Sequence, residues 1–265
     1  MLEIRNLSKT FHPGTVNERL AIDNVSLTLN DGDFVTVIGG NGAGKSTLLN
    51  LIAGVFFPDS GSIVINGRDV TALPEYKRAP FLGRVFQDPM MGTSPTMLIE
   101  ENLAIANRRG LRRTLKWGIT DKEREDFKKA LKGFDLGLED RLTSKVGLLS
   151  GGQRQALTLL MAVMRRPELL LLDEHTAALD PKTAQKVLGM TEKIVGNDTL
   201  TTIMITHNMK DAIEHGNRLI MMDAGRIVAD ISGEQKRNLT VPYLMELFSS
   251  VSGNAEANDS LLLSK

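Results

Sequence analysis

One stretch decides the fold of this 265-residue chain: Gly39-Gly40-Asn41-Gly42-Ala43-Gly44-Lys45-Ser46. It matches the pattern G-x-x-x-x-G-K-S of a phosphate-binding loop. The run from Phe34 to Ile38 before it predicts a strand, and the run from Lys45 to Ala53 after it predicts a helix that ends at Gly54. Because the pattern requires a strand before the loop and a helix after it, this context favours a phosphate loop over a glycine-rich turn followed by a chance Lys-Ser.

The residue types of the loop suit phosphate chemistry. Its glycines let the backbone curl so that several N–H groups face inward, and these donors cradle phosphate oxygens together with the positive helix N-terminus. We expect Lys45 to place a positive charge at the β and γ phosphates, Ser46 to ligate Mg²⁺ and Thr47 to donate to the α phosphate. The predicted nucleotide contacts are Gly39, Asn41, Gly42, Ala43, Gly44, Lys45, Ser46 and Thr47.

A second stretch, Leu169-Leu170-Leu171-Leu172-Asp173-Glu174, is an apolar run that ends in two acids. A strand buried on both faces has such a run, and α/β proteins place ligand chemistry at the carboxyl ends of their strands. We expect Asp173 to hold Mg²⁺ through water, and Glu174 to act as the general base that orients the attacking water. The pair is informative because the phosphate loop precedes it.

The remaining patterns predict an α/β fold with two added parts. Residues 1–35 contain strand-like runs, such as the alternation from Leu2 to Asn6, and predict an antiparallel β subdomain. Residues from about 90 to 147 are richer in charge, lack strand-like runs and predict an inserted helical subdomain. After Ser150 the order helix, strand, helix, strand is typical of a parallel sheet.

The end of the chain completes this prediction. Asp223-Ala224-Gly225 lies between two apolar runs and predicts a hairpin, so the sheet of the P-loop NTPase core is expected to be mixed or parallel. We expect this ATPase domain to occupy residues 1–240. Residues 241–265 are expected to form a C-terminal helix and a loosely ordered tail.

Leu149-Ser150-Gly151-Gly152-Gln153 narrows the class of ATPase. Ser150 and Gln153 form a capping-box pattern for the helix that follows, and a capped helix start is an anion site that Gly151 and Gly152 leave open to a phosphate. The five residues also resemble the signature sequence of ATP-binding-cassette (ABC) proteins. This resemblance, which covers about residues 1–235, implies ATP as the ligand. It also implies a dimer, because the signature faces the γ phosphate bound by the other subunit.

Other landmarks of that family occur in the expected order. Gln87 resembles the glutamine-loop residue that touches Mg²⁺ and the attacking water, and His207 resembles the switch histidine that contacts the γ phosphate. Ala178-Leu179-Asp180 resembles the segment that crosses the dimer interface. Phe11 resembles the aromatic residue that stacks on adenine, and Val16 is expected to support the same base.

One position departs from the family, since His175 stands where the residue after the general base is usually proline. We interpret it as a tolerated substitution, although a histidine beside the base also suggests an effect of pH.

The composition excludes several other kinds of protein. The chain has 32 Lys and Arg against 32 Asp and Glu, and no cysteine, so it has no net charge to attract nucleic acid and no disulfide framework. The N-terminus lacks the regions of a signal peptide, and no apolar run approaches the roughly 20 residues that span a bilayer. We therefore expect a cytoplasmic protein that lies on the cytoplasmic face of the cell membrane through membrane subunits.

The resemblance favours the ATPase subunit of a transporter whose permease subunits are separate chains, as in bacterial importers of amino acids or related small solutes. The expected partners are a second copy or a homologous ATPase, the permease and a substrate-binding protein. A basic stretch, interpreted as a solvated helix face or a contact with lipid or an acidic partner, comprises Arg108, Arg109, Arg112, Arg113 and Lys116, with Trp117.

Two alternatives stay open at this point. A soluble cassette in DNA repair or translation is disfavoured, because Gln87 and Ser150 are too close for a long coiled coil and only one cassette is present. A cassette that moves a membrane partner mechanically, without transport, has the same chemistry and the same motifs.

Overall fold

The structure is a computed structural model and describes residues 1–111, 118–133 and 137–252, except the side chains of residues 197, 198, 251 and 252. The chain forms two compact units. The first unit contains residues 1–78 together with the chain from residue 199 onward, and the second contains residues 79–198. Among the described residues, no helix is both long enough and apolar enough to cross a membrane.

The secondary-structure elements are numbered along the chain. The strands are β1 Leu2–Phe11, β2 Arg19–Leu29, β3 Phe34–Ile38, β4 Ser60–Ile65, β5 Arg68–Asp69, β6 Leu82–Val85, β7 Leu169–Asp173, β8 Thr201–Ile205, β9 Arg218–Asp223 and β10 Arg226–Ser232. The helices are α1 Lys45–Ala53, α2 Glu75–Arg78, α3 Ile99–Asn107, α4 Asp121–Lys132, α5 Gly151–Val163, α6 Pro181–Asp198, α7 Met209–Glu214, α8 Gly233–Arg237 and α9 Val241–Ser252, with a 3₁₀ turn at Val146–Leu148.

The first unit contains an antiparallel sheet in the order β2-β1-β4-β5, as predicted for the N-terminal region. The alternation predicted for β1 is wrong at Asn6, which is exposed with a φ of 48°. Against both neighbouring strands, β1 has one extra residue between Ile4 and Ser8, and Leu7 is buried instead. The cause is a β-bulge, which a strict two-residue period cannot anticipate.

The same unit contains strands of a mixed sheet. Strand β3 pairs in parallel with both β8 and β9, and β9 and β10 form the predicted antiparallel hairpin. Ala224 and Gly225 have φ values of 44° and 80°, and two successive residues with positive φ are what a tight type I′ turn requires. Apolar side chains of α7, α9 and the strands β3, β9 and β10 form one cluster that includes Ile38, Met209 and Phe248.

The second unit contains the parallel pair β6 and β7 and a helical core. Helices α3 and α4 fall in the range where a helical subdomain is predicted, and Leu103, Phe127 and Leu157 belong to a single buried cluster. The order α5, β7, α6, β8 is the predicted one. The proposed boundaries at about 90, 147 and 240 stay predictions.

The two remaining predictions concern segments that are only partly described. Helix α9 is present where a C-terminal helix is expected, and the predicted loose tail at 253–265 lies outside the described residues. Of the basic stretch, Arg112, Arg113, Lys116 and Trp117 also lie outside them. Arg109 is half-buried and donates to the carbonyl oxygen of Ala162 at 2.8 Å, so it packs against α5.

Candidate nucleotide site

The phosphate loop connects β3 to α1, whose bounds Lys45–Ala53 match the prediction, as does its end at Gly54. Gly39 has a φ of 155°, and a Cβ atom there would lie 2.2 Å from the carbonyl oxygen of Met222. Gly44 has a φ of 100°, and a Cβ atom there would lie 2.5 Å from the carbonyl oxygen of Ala21. The loop therefore has the observed path only if both positions are glycine.

Lys45 is buried and folds back over the loop. Its Nζ atom donates to the carbonyl oxygens of Gly39 at 2.8 Å and Gly40 at 3.0 Å, which fixes the ammonium group above the start of α1. The N-cap of α1 is Gly44, which has no side chain to accept from the first N–H groups of the helix. A helix start of this kind, beside a fixed positive charge, suits a phosphate group.

Two arginines support the loop and its helix. Arg19 on β2 donates to the carbonyl oxygen of Gly42 at 2.9 Å. Arg78 is fully buried and donates to Leu51 and Ile52 at the end of α1, at 2.7 and 2.8 Å, and to the carbonyl oxygens of Leu73 and Thr71. Burial lowers the pKa of Arg78 to about 10, so the guanidinium stays charged at neutral pH. A positive charge at a helix C-terminus complements the helix dipole.

The predicted base-binding residues lie near the first turn of the chain. Phe11 ends β1 and is half-buried, with its ring edge-on to Phe56 at a centroid distance of 5.1 Å. The Nζ atom of Lys9 lies 5.8 Å from the centroid of the Phe11 ring. Val16 is fully exposed on the loop between β1 and β2. Both residues are accessible to a ligand, and their contact with adenine stays a prediction.

His207 lies between β8 and α7. The next residue, Asn208, caps α7 by accepting from the backbone N–H groups of Lys210 and Asp211. The other end of α7 is held by Lys236, whose buried Nζ atom donates to the carbonyl oxygens of Ala212, Ile213, His215 and Gly216 at 2.7 to 3.3 Å. Burial lowers the pKa of Lys236 to about 8. The helix after His207 is therefore fixed at both ends.

In the second unit, Asp173 ends the buried strand β7, as predicted. Glu174 follows with a φ of 44°, a left-handed conformation that is strained for a residue with a side chain. His175 is 2% exposed, and its Nε2 atom lies 3.2 Å from Oγ1 of Thr191 on α6. Because the Thr191 hydroxyl donates to the carbonyl oxygen of Val187, the hydroxyl accepts from His175. His175 is therefore a buried anchor beside Glu174.

The signature stretch forms the predicted capping box at the start of α5. The Ser150 hydroxyl accepts from the N–H group of Gln153 at 3.3 Å, and the Gln153 side chain accepts from the N–H group of Ser150 at 3.2 Å. Packing also requires glycine at position 152, because a Cβ atom there would lie 2.1 Å from Cγ2 of Thr183. Gly151 is exposed, so the backbone at this helix start is open to a ligand.

The structure distributes the predicted site residues between the two units, each described on its own. The first unit contains Phe11, Val16, the phosphate loop with Lys45, Ser46 and Thr47, and His207. The second contains Gln87, Ser150 to Gln153, Asp173 and Glu174. The supporting residues Arg19, Arg78 and Lys236 were not predicted. Arg78 and Lys236 donate to backbone carbonyl groups, which every residue has, so the sequence contains no pattern for these contacts.

A phosphate loop after a buried strand, an acid-ended strand and a capped Ser-Gly-Gly-Gln helix define an ATPase of the ATP-binding-cassette class. The family model for ABC transporter proteins matches residues 22–177. The chain belongs to the ABC transporter family, and it is an ATP-binding subunit that hydrolyses ATP.

Several relatives match most of this chain. The tyrosine transport ATP-binding protein of Clostridioides difficile is 47% identical over 253 residues, which are 94% of this chain and 98% of that protein. The ABC transporter ATP-binding protein YxdL of Bacillus subtilis is 33% identical and covers 99% of both chains. The methionine import ATP-binding protein MetN of Corynebacterium efficiens is 34% identical over 86% of this chain, which spans only 61% of that longer protein.

Solved structures show the same fold. The dimeric post-hydrolysis structure of the ATP-binding cassette MJ0796 bound to ADP and Pi has a TM-score of 0.75 and 28% identity, and covers 88% of this chain and 98% of that one. A nucleotide-free ATP-binding cassette from an ABC transporter has a TM-score of 0.76 and 25% identity, and covers 100% and 99%. The predicted P-loop NTPase core with an antiparallel β part and a mixed sheet is thereby confirmed.

Proposed function

We propose that this chain drives the import of an amino acid or a related small solute through separate permease subunits. The observation that carries this proposal is the 47% identity to a tyrosine transport ATP-binding protein across almost the full length of both chains. The likeness to a methionine import protein points to the same class of solute. The substrate is selected outside the ATPase subunit, so this chain cannot identify it directly. Tyrosine is the first solute to test because of the 47% identity to a tyrosine transport ATP-binding protein.

The residues have these roles in hydrolysis. Lys45 and His207 stabilise negative charge on the γ phosphate, and the N–H groups from Gly42 to Thr47 hold the phosphate oxygens. Glu174 orients a water molecule and accepts its proton as the water oxygen attacks the γ phosphorus. The bond from that phosphorus to the bridging oxygen breaks, and the products are ADP and inorganic phosphate. Phe11 stacks on adenine and Val16 supports it.

The residues assigned to a metal fit Mg²⁺. Ser46, Gln87 and Asp173 offer a hydroxyl, an amide and a carboxylate oxygen, which are the hard donors that this ion prefers. Bound Mg²⁺ supplies positive charge to the β and γ phosphates. Asp173 would hold the ion, and Gln87 would contact it and link the site to the helical part of the second unit.

The partners follow from the signature. Ser150, Gly151, Gly152 and Gln153 bind the γ phosphate held by a second copy of the chain or a homologous ATPase, so that two subunits complete each site. The dimeric MJ0796 structure with ADP and Pi supports such a pair. Permease subunits hold the dimer at the cytoplasmic face of the membrane, and a substrate-binding protein delivers the solute to the permease.

The first experiment replaces the general base. In Glu174→Gln we expect ATP hydrolysis to fall by about 100-fold or more, with ATP binding retained and an ATP-stabilised dimer on size-exclusion chromatography. The matched control is Glu192→Gln, an exposed carboxyl on α6, which should keep normal turnover. Near-normal turnover in Glu174→Gln would show that Glu174 is not the general base.

The second experiment tests the solute. The chain is purified with the membrane subunits that accompany it, and the complex is reconstituted in proteoliposomes. We expect ATP-dependent uptake of radiolabelled tyrosine or another amino acid. ATP hydrolysis by the complex without uptake of any amino acid would reject the proposed import function and favour a mechanical role.

A further inference from the structure

Helix α5 begins at the signature and also contacts the segment that contains Gln87. Gln155 of α5 is fully buried, and its Nε2 atom donates to the carbonyl oxygen of Phe86 at 3.2 Å. Phe86 immediately precedes Gln87. The bond therefore attaches the start of the glutamine loop, which we define as residues 87–91, to the signature helix.

The other end of the glutamine loop meets the same face of α5. Gly92 packs so closely on Thr158 that a Cβ atom at Gly92 would lie 2.5 Å from Cγ2 of Thr158. The Thr158 hydroxyl donates to the carbonyl oxygen of Arg154 at 2.9 Å, which fixes the rotamer that points this methyl group at the loop. Since Gln155 and Thr158 are three residues apart, they are neighbours on one helix face.

Between these two anchors, the glutamine loop is held by its own hydrogen bonds. The backbone N–H group of Met90 donates to the Asp88 carboxylate at 2.8 Å, and that of Met91 donates to the Asp88 carbonyl oxygen at 3.1 Å. The loop also exposes apolar surface, because Met90 is 40% and Met91 69% exposed. The glutamine loop is therefore held by internal hydrogen bonds and by two anchors on one helix.

The remaining polar atom of Gln155 points to a role beyond packing. Within the described residues, its Oε1 atom is buried and accepts no hydrogen bond. Burying such an acceptor costs free energy that an apolar side chain would avoid. The bond from Nε2 to Phe86 is the contact that an apolar side chain of the same size cannot make.

We propose that Gln155, together with the contact between Gly92 and Thr158, makes the glutamine loop a rigid extension of the signature helix, so that a displacement of Ser150 moves Gln87, Met90 and Met91. Gln155 is a positioning residue and acts through the loop. The proposal rests on the proposed function, since the displacement arises when Ser150 engages the nucleotide of the other subunit. Beyond the proposed function, the present proposal names the side chains that transmit this displacement to the glutamine loop.

The absence of cysteine from the chain allows a direct test. In the full-length Glu174→Gln variant, Met91→Cys provides a single thiol on the exposed part of the loop for an environment-sensitive fluorophore. We expect ATP with Mg²⁺ to change its emission as the dimer forms. Adding Gln155→Leu should reduce that change about threefold or more. The ATP dissociation constant should stay within about twofold, because the phosphate loop is unaltered.

The second anchor supplies a variant pair with its own control. Gly92→Ala forces the loop off α5 and should reduce the emission change in the same way. Thr158→Ser removes only the methyl group and keeps the hydroxyl, so it should respond normally. In the double variant Gly92→Ala with Thr158→Ser, the nearest atoms to the new Cβ atom are Oγ and Cβ of residue 158, at 3.5 and 3.6 Å, which are ordinary contacts. This variant should regain the response.

The outcomes separate the two proposals. A full emission change in both Gln155→Leu and Gly92→Ala overturns the anchoring of the loop, and so does a dimer that forms without any emission change. Failure of the double variant to recover also contradicts it, provided that thermal unfolding shows a folded protein. Failure of the Glu174→Gln parent to bind ATP or to dimerise is instead a failure of the proposed function.

Discussion

The phosphate loop and the glutamine loop are both short connections after a buried strand, but they are held in different ways. The phosphate loop is fixed mainly by close packing against other main chain, because Gly39 and Gly44 fit where a Cβ atom would collide with the carbonyl oxygens of Met222 and Ala21. The glutamine loop is fixed by Gln155 and Thr158, side chains about 70 residues later in the chain. A loop fixed by backbone constraints tolerates little change, whereas a loop fixed by a helix can follow that helix.

The largest effect should come from a side chain added to the phosphate loop. In Gly39→Ala, the new Cβ atom would meet the carbonyl oxygen of Met222, and the main chain cannot rotate away as a side chain can. We expect a loss of about 3 kcal/mol or more in the free energy of unfolding, measured in urea, and loss of ATP binding.

The matched control for that variant is Gly67→Ala. Gly67 has a positive φ of 73°, but a Cβ atom there has no neighbour within 4 Å. It should cost only about 1 kcal/mol, from the left-handed conformation alone. Equal losses in the two variants would show that strain in φ, rather than the collision, constrains the phosphate loop.

The next effect tests whether the phosphate loop also depends on a remote side chain. Arg78→Met removes the donor to four carbonyl oxygens, including two at the end of α1. We expect a loss of about 2 to 4 kcal/mol in stability, because each of these four acceptors loses a hydrogen bond from a buried charged donor. Arg5→Met is the control, since Arg5 is exposed and pairs with Glu3 at the surface, and it should change stability by less than about 0.5 kcal/mol. If both variants unfold at the same urea concentration, Arg78 does not support α1.

The connection after β7 offers a comparison within the second unit. His175→Phe or Thr191→Val removes the hydrogen bond that anchors the residue beside Glu174, and each should cost about 1 to 2 kcal/mol in stability. Because Glu174 has a strained backbone, we expect kcat for ATP hydrolysis to fall while KM stays nearly constant. In a double-mutant cycle the two changes should couple, and full additivity would mean that the bond does not hold Glu174.

The smallest effect concerns Lys236 and pH. Burial lowers its pKa to about 8 from the usual 10.5, so between these values the unfolded chain binds more protons than the folded one. The contribution of Lys236 to stability therefore rises with pH across that window. The measurement is the difference in unfolding free energy between the wild type and Lys236→Met at pH 7.5 to 10.5. A difference that is constant over this range contradicts the assignment.

The same contrast explains how much of the molecule the sequence predicts. Helix α1, the capping box of Ser150 and Gln153, and the turn at Ala224-Gly225 each depend on neighbours within a few residues, and each was predicted at its correct position. The bulge at Asn6 was missed because one inserted residue leaves the composition of the strand unchanged. The sequence alone suggests that His175 is a tolerated substitution. Its hydrogen-bond partner Thr191 lies on α6, 16 residues away, so no local pattern reveals the contact. Arg78 and Gln155 donate to main-chain carbonyl oxygens. Every residue has such an oxygen, so the sequence does not show which ones these side chains bind.

Helix α9, the last helix of the described chain, packs against the phosphate loop. Phe248 is 2% exposed, and a Cβ atom at Gly40 would lie 3.5 Å from its Cζ atom. For protein engineering, this means that a deletion from residue 241 removes a buried side chain that packs against the phosphate loop. We expect an affinity tag or fluorescent fusion joined close to residue 252 to disturb the same packing. We therefore expect the apparent nucleotide affinity of such fusions to vary with the length of the linker.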